Sequence, residues 1–201
     1  DPDAAEKTLS FVGYLSERKN QMYLIEAHRH LPRQYELVLI GKALKPEYGE
    51  RLREYCRKHS LDNVTFTGQV AHEEIPSYLE RSHVLVSASK MEVQSLVVIE
   101  ALASSTPVVG LSNETVDELV DDKVGRRLSK DATPQGFAAS VESVCDLPQS
   151  EYQELCENAR DRDSHHDWTN VVEQTATAYR ELMQEKTATP GVVPPSGEWA
   201  M

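Results

Sequence analysis

Short apolar runs that alternate with amphipathic segments constrain the fold of this chain more than any other feature. Each run has the length of a strand, and a glycine directly follows each of the first three. The runs cover residues 8–12, 36–40, 63–67, 83–87 and 107–111. Because helical periodicity lies between them, the pattern predicts an α/β fold with a parallel sheet and helices on both faces. A smaller run at 125–128 indicates an edge strand, so we expect about five to six strands.

Helical spacing of apolar residues predicts the segments that cover this sheet. The expected helices begin at residue 20 and then cover 46–60, 73–81 and 114–120, with three later helical segments at 134–146, 150–163 and 168–185. Residues 1–7 form a lead-in and 8–186 a single domain that ends in this helical part. The remaining residues, 187–201, are rich in proline and glycine and are predicted to be disordered.

Composition excludes several classes of protein. The 201 residues carry a formal net charge of −12, which argues against a nucleic-acid footprint and against docking on anionic membranes through this part of the chain. The three cysteines lack CxxC spacing, which favours structural thiols in a reducing compartment. The sequence shows neither a signal peptide nor an apolar run of membrane-spanning length, so we expect a cytoplasmic protein. Its start just before a strand favours a fragment of a longer protein.

Two carboxylates, Glu92 and Glu100, stand eight residues apart around the start of an apolar helix. Apolar neighbours surround Glu100, so we expect it to be buried, and a buried carboxylate needs a partner. That partner is an internal arginine, backbone amides or the hydroxyls of a ligand. The first turn of the same helix would offer the free N–H groups of Ser95, Leu96 and Val97 to phosphate oxygens.

The loop after the first strand begins at Gly13 and places Arg18 and Lys19 ahead of a helix N-terminus. Such a pair forms either a phosphate site or ordinary solvated surface. With Lys19 across a diphosphate, Glu92 would meet a sugar and Glu100 a ribose. The residues therefore outline a site for a nucleotide diphosphate-sugar.

Other chemistries find less support in the sequence. No GxGxxG or GxxxxGK[ST] run is present, which disfavours dinucleotide oxidoreductases and P-loop enzymes. The seven histidines do not form a metal set, and no GxSxG elbow occurs. Two glutamates on either side of one helix start are better placed to bind hydroxyls than to act as a glycosidase pair.

These residues resemble a known family. The stretch Ser89-x-x-Glu92-x7-Glu100-Ala-Leu-Ala-x-x-x-Pro107-Val-Val is similar to the E-x7-E signature of the group 1 retaining glycosyltransferases, which have the GT-B fold. Further matches over residues 8–185 follow in the same order. They are Phe11-Val-Gly-x-Leu-x5-Asn20, Leu37-Val-Leu-Ile-Gly41, Val64-Thr-Phe-Thr-Gly68-Gln-Val70, Glu118-Leu-Val-x-Asp-x-Val-Gly125, and Trp168 followed by Tyr179.

The resemblance implies that residues 8–186 are the Rossmann-like, C-terminal half of a GT-B enzyme, which binds the donor. Lys19 would pair with the diphosphate, Glu100 with the ribose hydroxyls and Glu92 with the transferred sugar. The backbone near Val70 would meet the nucleobase, and the helix start at 95–97 would face the phosphates. Gly13 and Arg18 would complete the donor site.

The family needs neither a metal nor another cofactor, so the implied partners are a UDP- or GDP-linked sugar donor and an unknown acceptor. Acceptor contacts would come from an N-terminal domain that this chain lacks, so the chain alone would not catalyse transfer. A full-length protein would be cytoplasmic or peripheral at the inner membrane face. Two alternatives stay open: another GT-B enzyme, such as a sugar-nucleotide epimerase or a phosphorylase-like enzyme, and a non-catalytic assembly domain.

Several positions depart from the family pattern. Arginine is usual at Tyr14 and glycine at Asn20 and Ser105. A Gly-Phe-Gly-like run is usual at Val93-Gln94-Ser95, and two glycines often stand at Glu114-Thr115. Ser95 places a side chain where backbone approaches the sugar, and Glu114 adds negative charge, whereas Arg18 would substitute for the lost arginine. These departures concern the identity of the donor and the activity, and leave the fold unchanged.

Overall fold

A six-stranded parallel sheet forms the centre of the described part of the chain. The computed structural model describes residues 7–92, 94–163 and 177. The strands are β1 Lys7–Val12, β2 Tyr35–Ile40, β3 Val64–Gly68, β4 Val84–Ser87, β5 Val108–Leu111 and β6 Gly125–Leu128, in the sheet order β3-β2-β1-β4-β5-β6. The predicted α/β fold and its sixth edge strand are confirmed, with strand limits that differ by one residue at most.

Helices connect these strands. They are α1 Gln21–His28, α2 Pro46–Lys58, α3 Ile75–Glu80 after a 3-10 turn at His72–Glu74, α4 Leu96–Ala103, α5 Glu114–Leu119, α6 Pro134–Cys145 and α7 Gln149–Asp163. Local signals account for several starts: Pro46 and Pro134 occupy first-turn positions, and the Asn113 side chain accepts a hydrogen bond from the Val116 amide.

The chain separates into two compact units, residues 1–164 and 165–201. Apart from residue 177, the second unit lies outside the described residues, and so do the predicted helix at 168–185 and the predicted tail at 187–201. The domain limits 8–186 stay a prediction.

Side chains alternate between the two faces of the sheet and form two cores. Leu9 and Phe11 of β1 belong to the core that also contains residues of α1, α2 and α6. Val12 of the same strand belongs to the other core, which contains residues of α3, α4 and α5. The expected helical layers on both faces are therefore present.

The order of the strands reverses between β1 and β4. The loop after β1 leads to α1 on one face of the sheet, and the loop after β4 leads to α4 on the other. In open parallel sheets, such a switch point leaves a crevice at the carboxyl ends of the strands, where ligands bind. The two loops at this switch cover residues 13–20 and 88–95.

An ion pair links the start of β1 to the end of α6. The Lys7 ammonium and the Tyr35 hydroxyl both donate hydrogen bonds to Oδ1 of Asp146. Burial alone would raise the pKa of Asp146, but these hydrogen bonds and the Lys7 charge outweigh it and hold that pKa below its ordinary value.

All three cysteines are free thiols. Burial raises the pKa of Cys56 to about 11 and is the main cause that raises the pKa of Cys145 to about 12. Both thiols are therefore neutral at physiological pH, in keeping with the expected structural role. None of the helices in the described part of the chain is long and apolar enough to cross a membrane.

Candidate functional site

The two loops at the switch point meet through an ion pair between Lys19 and Glu92. The Lys19 ammonium lies 2.5 Å from Oε1 of Glu92, and the two side chains are only 16% and 7% exposed. The Lys90 amide also donates to the Arg18 carbonyl, at 2.9 Å, which joins the same two loops. The predicted catalytic pair, Lys19 and Glu92, thus comes together across the crevice between β1 and β4.

The contact between these two charges is close but lacks hydrogen-bond geometry. Oε1 of Glu92 is buried and has no hydrogen-bond partner of acceptable geometry among the described residues, although the Lys19 ammonium is within ion-pair distance. The contact is therefore a charge attraction, and the carboxylate can still accept hydrogen bonds.

Glycines bring the backbones of β1 and β2 together next to this pair. Gly41 has φ +134°, and a Cβ there would overlap the carbonyl oxygen of Gly13. The Gly13 amide donates to the Ile40 carbonyl at 2.9 Å, and the Cε atom of Lys19 lies near Gly13. Any side chain at position 41 would push these two strand ends apart, so the glycine here has a steric cause.

An open cleft of about 400 Å³ lies at the carboxyl ends of β1, β2 and β3, and we call it the carboxyl-edge cleft. Its lining comes from three strand ends and the segment that follows β3. The lining residues are Val12, Gly13, Tyr14, Ile40, Gly41, Lys42, Gln69, Val70, His72 and Ile75. The structure thus brings two of the predicted binding residues, Gly13 and Val70, to one cleft beside the Lys19–Glu92 pair.

Glu100 lies at the margin of the site and is not buried as expected. Its side chain is 30% exposed, and the basic side chain within 4.0 Å of its carboxylate among the described residues is that of His72, with 3.9 Å between Oε1 and Nε2. The expectation was wrong because only some positions of α4 pack into the core, and Glu100 is not among them. Val98 and Leu102 are buried, while Leu96 is 63% exposed.

Glu100 therefore has a weak internal partner. Neither an arginine nor a backbone amide of the described residues pairs with its carboxylate. The described residues therefore do not support a purely structural role for Glu100. The carboxylate is accessible near His72, a residue of the cleft lining. Ligand hydroxyls stay the better candidate partner.

The first turn of α4 leaves two backbone amides free to bind a ligand, whereas three were expected. The Ser95 amide donates to the hydroxyl of Thr115 at 3.0 Å, so it is already engaged within the protein. Leu96 and Val97 begin the helix, and their N–H groups precede the first intrahelical bonds. The phosphate-facing role stays a prediction for Leu96 and Val97.

The turn between β5 and α5 holds both ends of the loop that carries Glu92. Besides the bond from Ser95 to Thr115, the Asn113 side-chain amide donates to the Ser89 carbonyl at 3.3 Å. Asn113 was detectable in the sequence as a preferred N-cap residue directly before a predicted helix. The role of Thr115 had no local signal, since its partner stands 20 residues away.

Arg18 does not share the carboxyl-edge cleft. Its side chain is exposed and lines a separate cleft of about 380 Å³, together with Glu17, Glu47 and Arg51. We call this second cavity the Arg18 cleft. Arg18 therefore lines a different cleft from Tyr14, and it is not placed to substitute for an arginine at position 14.

A different cation, which the sequence did not single out, lies at position 42. The Lys42 ammonium is 5.9 Å from the centroid of the Tyr14 ring, and both residues line the carboxyl-edge cleft. Lysine over an aromatic face is a cation–π arrangement. Because Lys42 directly follows a strand and its glycine, its position was predictable, but nothing in the sequence linked it to Tyr14.

Two of the departures from the family pattern have left-handed backbones. Asn20 and Ser105 both have φ +58°, a conformation that glycine adopts readily and that asparagine tolerates. Ser105 also accepts a hydrogen bond from Arg160 Nε at 2.9 Å. The backbone expected for glycine is retained at both positions. Glu114 is exposed in the first turn of α5, and Val93 lies outside the described residues.

A metal site was neither expected nor found where the structure can be described. Residues 7–92, 94–163 and 177 contain no group of three or more His, Cys, Asp or Glu side chains that could hold an ion. The expectation of a metal-free reaction stays a prediction.

Comparisons with known proteins identify the family of this chain. A sequence model of the family described as "Glycosyl transferases group 1" matches residues 2–162. Alpha-monoglucosyldiacylglycerol synthase of Streptococcus pneumoniae is 32% identical over 120 residues, which are 59% of this chain and 27% of that protein. Glycogen synthase of Mycobacterium tuberculosis is 30% identical over 186 residues, which are 89% of this chain and 43% of that protein.

A solved structure supports the fold. The crystal structure of Anabaena HepE in complex with UDP and glucose is similar to this chain, with a TM-score of 0.78 and 24% identity. The match covers 87% of this chain and 48% of HepE. This chain therefore spans less than half the length of each of these three proteins.

Proposed function

Because this chain belongs to the group 1 glycosyltransferase family, we propose that it is the donor-binding half of a retaining glycosyltransferase. The donor would be a nucleotide diphosphate-sugar, and the acceptor would bind mainly to an N-terminal domain of the same protein. The coverage of less than half of the related proteins supports this division. On this proposal the chain binds the donor and does not catalyse transfer alone.

The ion pair of Lys19 and Glu92 carries the proposal. Both side chains are largely buried, and breaking a buried pair leaves an uncompensated charge. A nucleotide diphosphate-sugar offers each member a new partner at once, since the diphosphate would bind Lys19 and the sugar hydroxyls would donate to Glu92. After this exchange of partners, Lys19 would have a new counter-charge and Glu92 would have hydrogen-bond donors.

The order of the strands supports a linear arrangement of the donor. Neighbouring strands lie about 4.8 Å apart, so the loops after β4, β1, β2 and β3 form a row about 14 Å long. Glu92 stands at one end of this row, Lys19 follows, and Val70 stands at the other end. The sugar, the diphosphate and the nucleobase would occupy these places in this order, with the ribose near Glu100.

Positive charge for the leaving diphosphate would come from the protein. Lys19 and the amides of Leu96 and Val97 would face the place where negative charge develops when the bond to the sugar breaks. Fixed donors aimed at a developing charge lower the barrier to reaction. This arrangement supplies what a metal ion would otherwise provide, so we propose that the reaction uses neither a metal nor another cofactor.

The relatives support a sugar-transfer reaction and leave the acceptor open. HepE was crystallised with UDP and glucose, so we propose UDP as the first nucleotide to test and GDP as the second. The two named relatives are a glucosyl-lipid synthase and a glycogen synthase, which make different products. We propose a cytoplasmic location, where nucleotide-sugars and reduced thiols coexist.

Titration calorimetry with UDP and with GDP tests the proposal. Glu100→Ala should weaken the binding of the preferred nucleotide about tenfold, because hydrogen bonds to a charged group contribute roughly 1.5–3 kcal/mol. The domain should keep its cooperative melting transition, since the Glu100 side chain is partly exposed. Glu73→Ala is a matched control, because Glu73 is an exposed carboxylate next to His72 that does not line the cleft.

Three results would count against the proposal. Absence of nucleotide binding at millimolar concentration contradicts the donor site as a whole. Equal binding by Glu100→Ala and Glu73→Ala contradicts the ribose contact. Loss of the melting transition in Glu100→Ala alone would make Glu100 a structural residue.

A further inference from the structure

Lys42 is a cation of the carboxyl-edge cleft that the proposed function does not yet use. Its ammonium lies 5.9 Å from the centroid of the Tyr14 ring, and the Tyr14 side chain is 52% exposed. Within the described part of the chain, no carboxylate lies within 4.0 Å of this ammonium, whereas Lys19 is paired with Glu92. The charge of Lys42 is therefore available to a ligand.

The backbone directs Lys42 and Tyr14 to the same side of the sheet. The pairing of β1 and β2 continues beyond the strands, because the Leu15 amide donates to the Lys42 carbonyl at 2.9 Å and the Leu44 amide to the Leu15 carbonyl at 3.0 Å. Leu15 packs in the core of α1, α2 and α6. Side chains alternate along an extended chain, so the preceding Tyr14 faces the opposite side, where Val70 lies.

The sheet order places Lys42 at the nucleoside end of the cleft. β2 lies between β1 and β3, one strand further than β1 from the crevice that holds Glu92. Residues of the loop after β3, Gln69 and Val70, share the cleft lining with Lys42. A diphosphate at Lys19 would thus leave Lys42 next to the base.

We propose that Lys42 determines which nucleobase the donor carries, by donating a hydrogen bond to an exocyclic carbonyl of uracil or guanine. This inference rests on the proposed function. An ammonium has three donors and no acceptor, so it pairs with a carbonyl oxygen. Adenine presents an exocyclic amino group, itself a donor, in place of the guanine carbonyl. Lys42 therefore favours UDP or GDP over ADP, and Tyr14 holds the ammonium in place.

Calorimetric titration of the chain with UDP, GDP and ADP tests this selection. The unsubstituted chain should bind UDP or GDP about tenfold or more tightly than ADP, and Lys42→Met should remove most of this preference. The change should come from weaker binding of the preferred nucleotide, with ADP nearly unaffected. The tighter of UDP and GDP identifies the base.

Lys45→Met is the matched control. Lys45 is exposed on the same loop and lines the Arg18 cleft, so its loss changes the net charge by the same amount without touching the nucleoside end. This variant should keep the preference of the unsubstituted chain. Melting curves of both variants should match that of the unsubstituted chain, because both side chains are exposed.

The outcomes separate this inference from the proposed function. Equal weakening of all three nucleotides by Lys42→Met would place Lys42 at the diphosphate and overturn base selection, while the donor site would stand. A preference for ADP in the unsubstituted chain would also overturn base selection alone. Absence of binding by any nucleotide would overturn the proposed function and the selection with it.

Discussion

Replacement of Glu92 with glutamine should strengthen the binding of UDP without a sugar. On the proposed function, an incoming diphosphate would compete with Glu92 for Lys19, because the two side chains pair directly across the switch point. Glutamine keeps the size of the side chain and removes its charge. The diphosphate then gains Lys19 without displacing a carboxylate. The same substitution should weaken the added contribution of the sugar, because Glu92 would accept hydrogen bonds from its hydroxyls.

The expected gain follows from the geometry of the pair. At a separation of 2.5 Å and an effective dielectric constant of about 20, the Coulomb attraction is roughly 7 kcal/mol. Both side chains are mostly buried, so their desolvation offsets most of this attraction. If the net attraction between Lys19 and Glu92 is about 1 kcal/mol, UDP must overcome it in the unsubstituted chain but not in Glu92→Gln. UDP affinity therefore rises about fivefold in Glu92→Gln.

Calorimetry at low ionic strength, with UDP and with UDP-glucose, measures both effects. Glu54→Gln is the control, since Glu54 is an exposed carboxylate of α2, away from both loops of the switch point, and has no ion pair within the described residues. Its substitution changes the net charge equally, and UDP affinity should stay within about twofold. Weaker UDP binding by Glu92→Gln, or an equal effect of both variants, would refute the competition for Lys19.

Three further predictions concern the scaffold of the site. Gly41→Ala should lower the free energy of unfolding by about 3 kcal/mol or more, because its Cβ would overlap the Gly13 carbonyl, and a urea midpoint close to that of the unsubstituted chain would contradict this. Thr115→Val should speed hydrogen exchange of the Ser95 amide about fivefold while Thr115→Ser does not, and equal rates in both variants would remove the supporting role of this hydroxyl. Asp146 has a lowered pKa, so its contribution to the free energy of unfolding is present above pH 4 and is lost as the pH falls further. Asp146→Asn should therefore be about 1 kcal/mol less stable at pH 7 and indistinguishable near pH 2, and a difference that persists there would contradict the ion pair.

The strands were predictable because several local signals agree at each of them. A continuous apolar run gives the strand, the glycine after it gives the turn, and the amphipathic segment beyond gives the next helix. The edge strand Gly125–Leu128 was predicted with correct limits despite its two arginines. Agreement among independent signals explains why strand limits differ by one residue at most.

The environment of Glu100 was not predictable, because nearly every position of α4 is apolar. Periodicity identifies a buried face only where polar residues mark the exposed one. In α4 the exposed positions are occupied by residues such as Leu96, so composition suggested burial on all sides. The core covers Val98, Ala101 and Leu102, and Glu100 stays partly exposed.

Contacts between distant loops could not be predicted from the sequence either. Lys19 and Glu92 were each identified by type and spacing, and the reversal of strand order at β1 and β4 explains why they meet. Two other contacts depend on how separate loops lie in space. They are the hydrogen bond from Ser95 to Thr115 and the cation–π contact of Lys42 with Tyr14. No local pattern encodes such pairs.

Mapping of backbone amide shifts during a UDP titration tests the central claim most directly, because it locates the nucleotide without relying on a substitution. The account predicts that the largest shifts occur at Gly13, Val70, Leu96 and Val97, at the carboxyl ends of the strands. Shifts centred on the Arg18 cleft, or no shifts at saturating UDP and GDP, would contradict a donor site at the switch point.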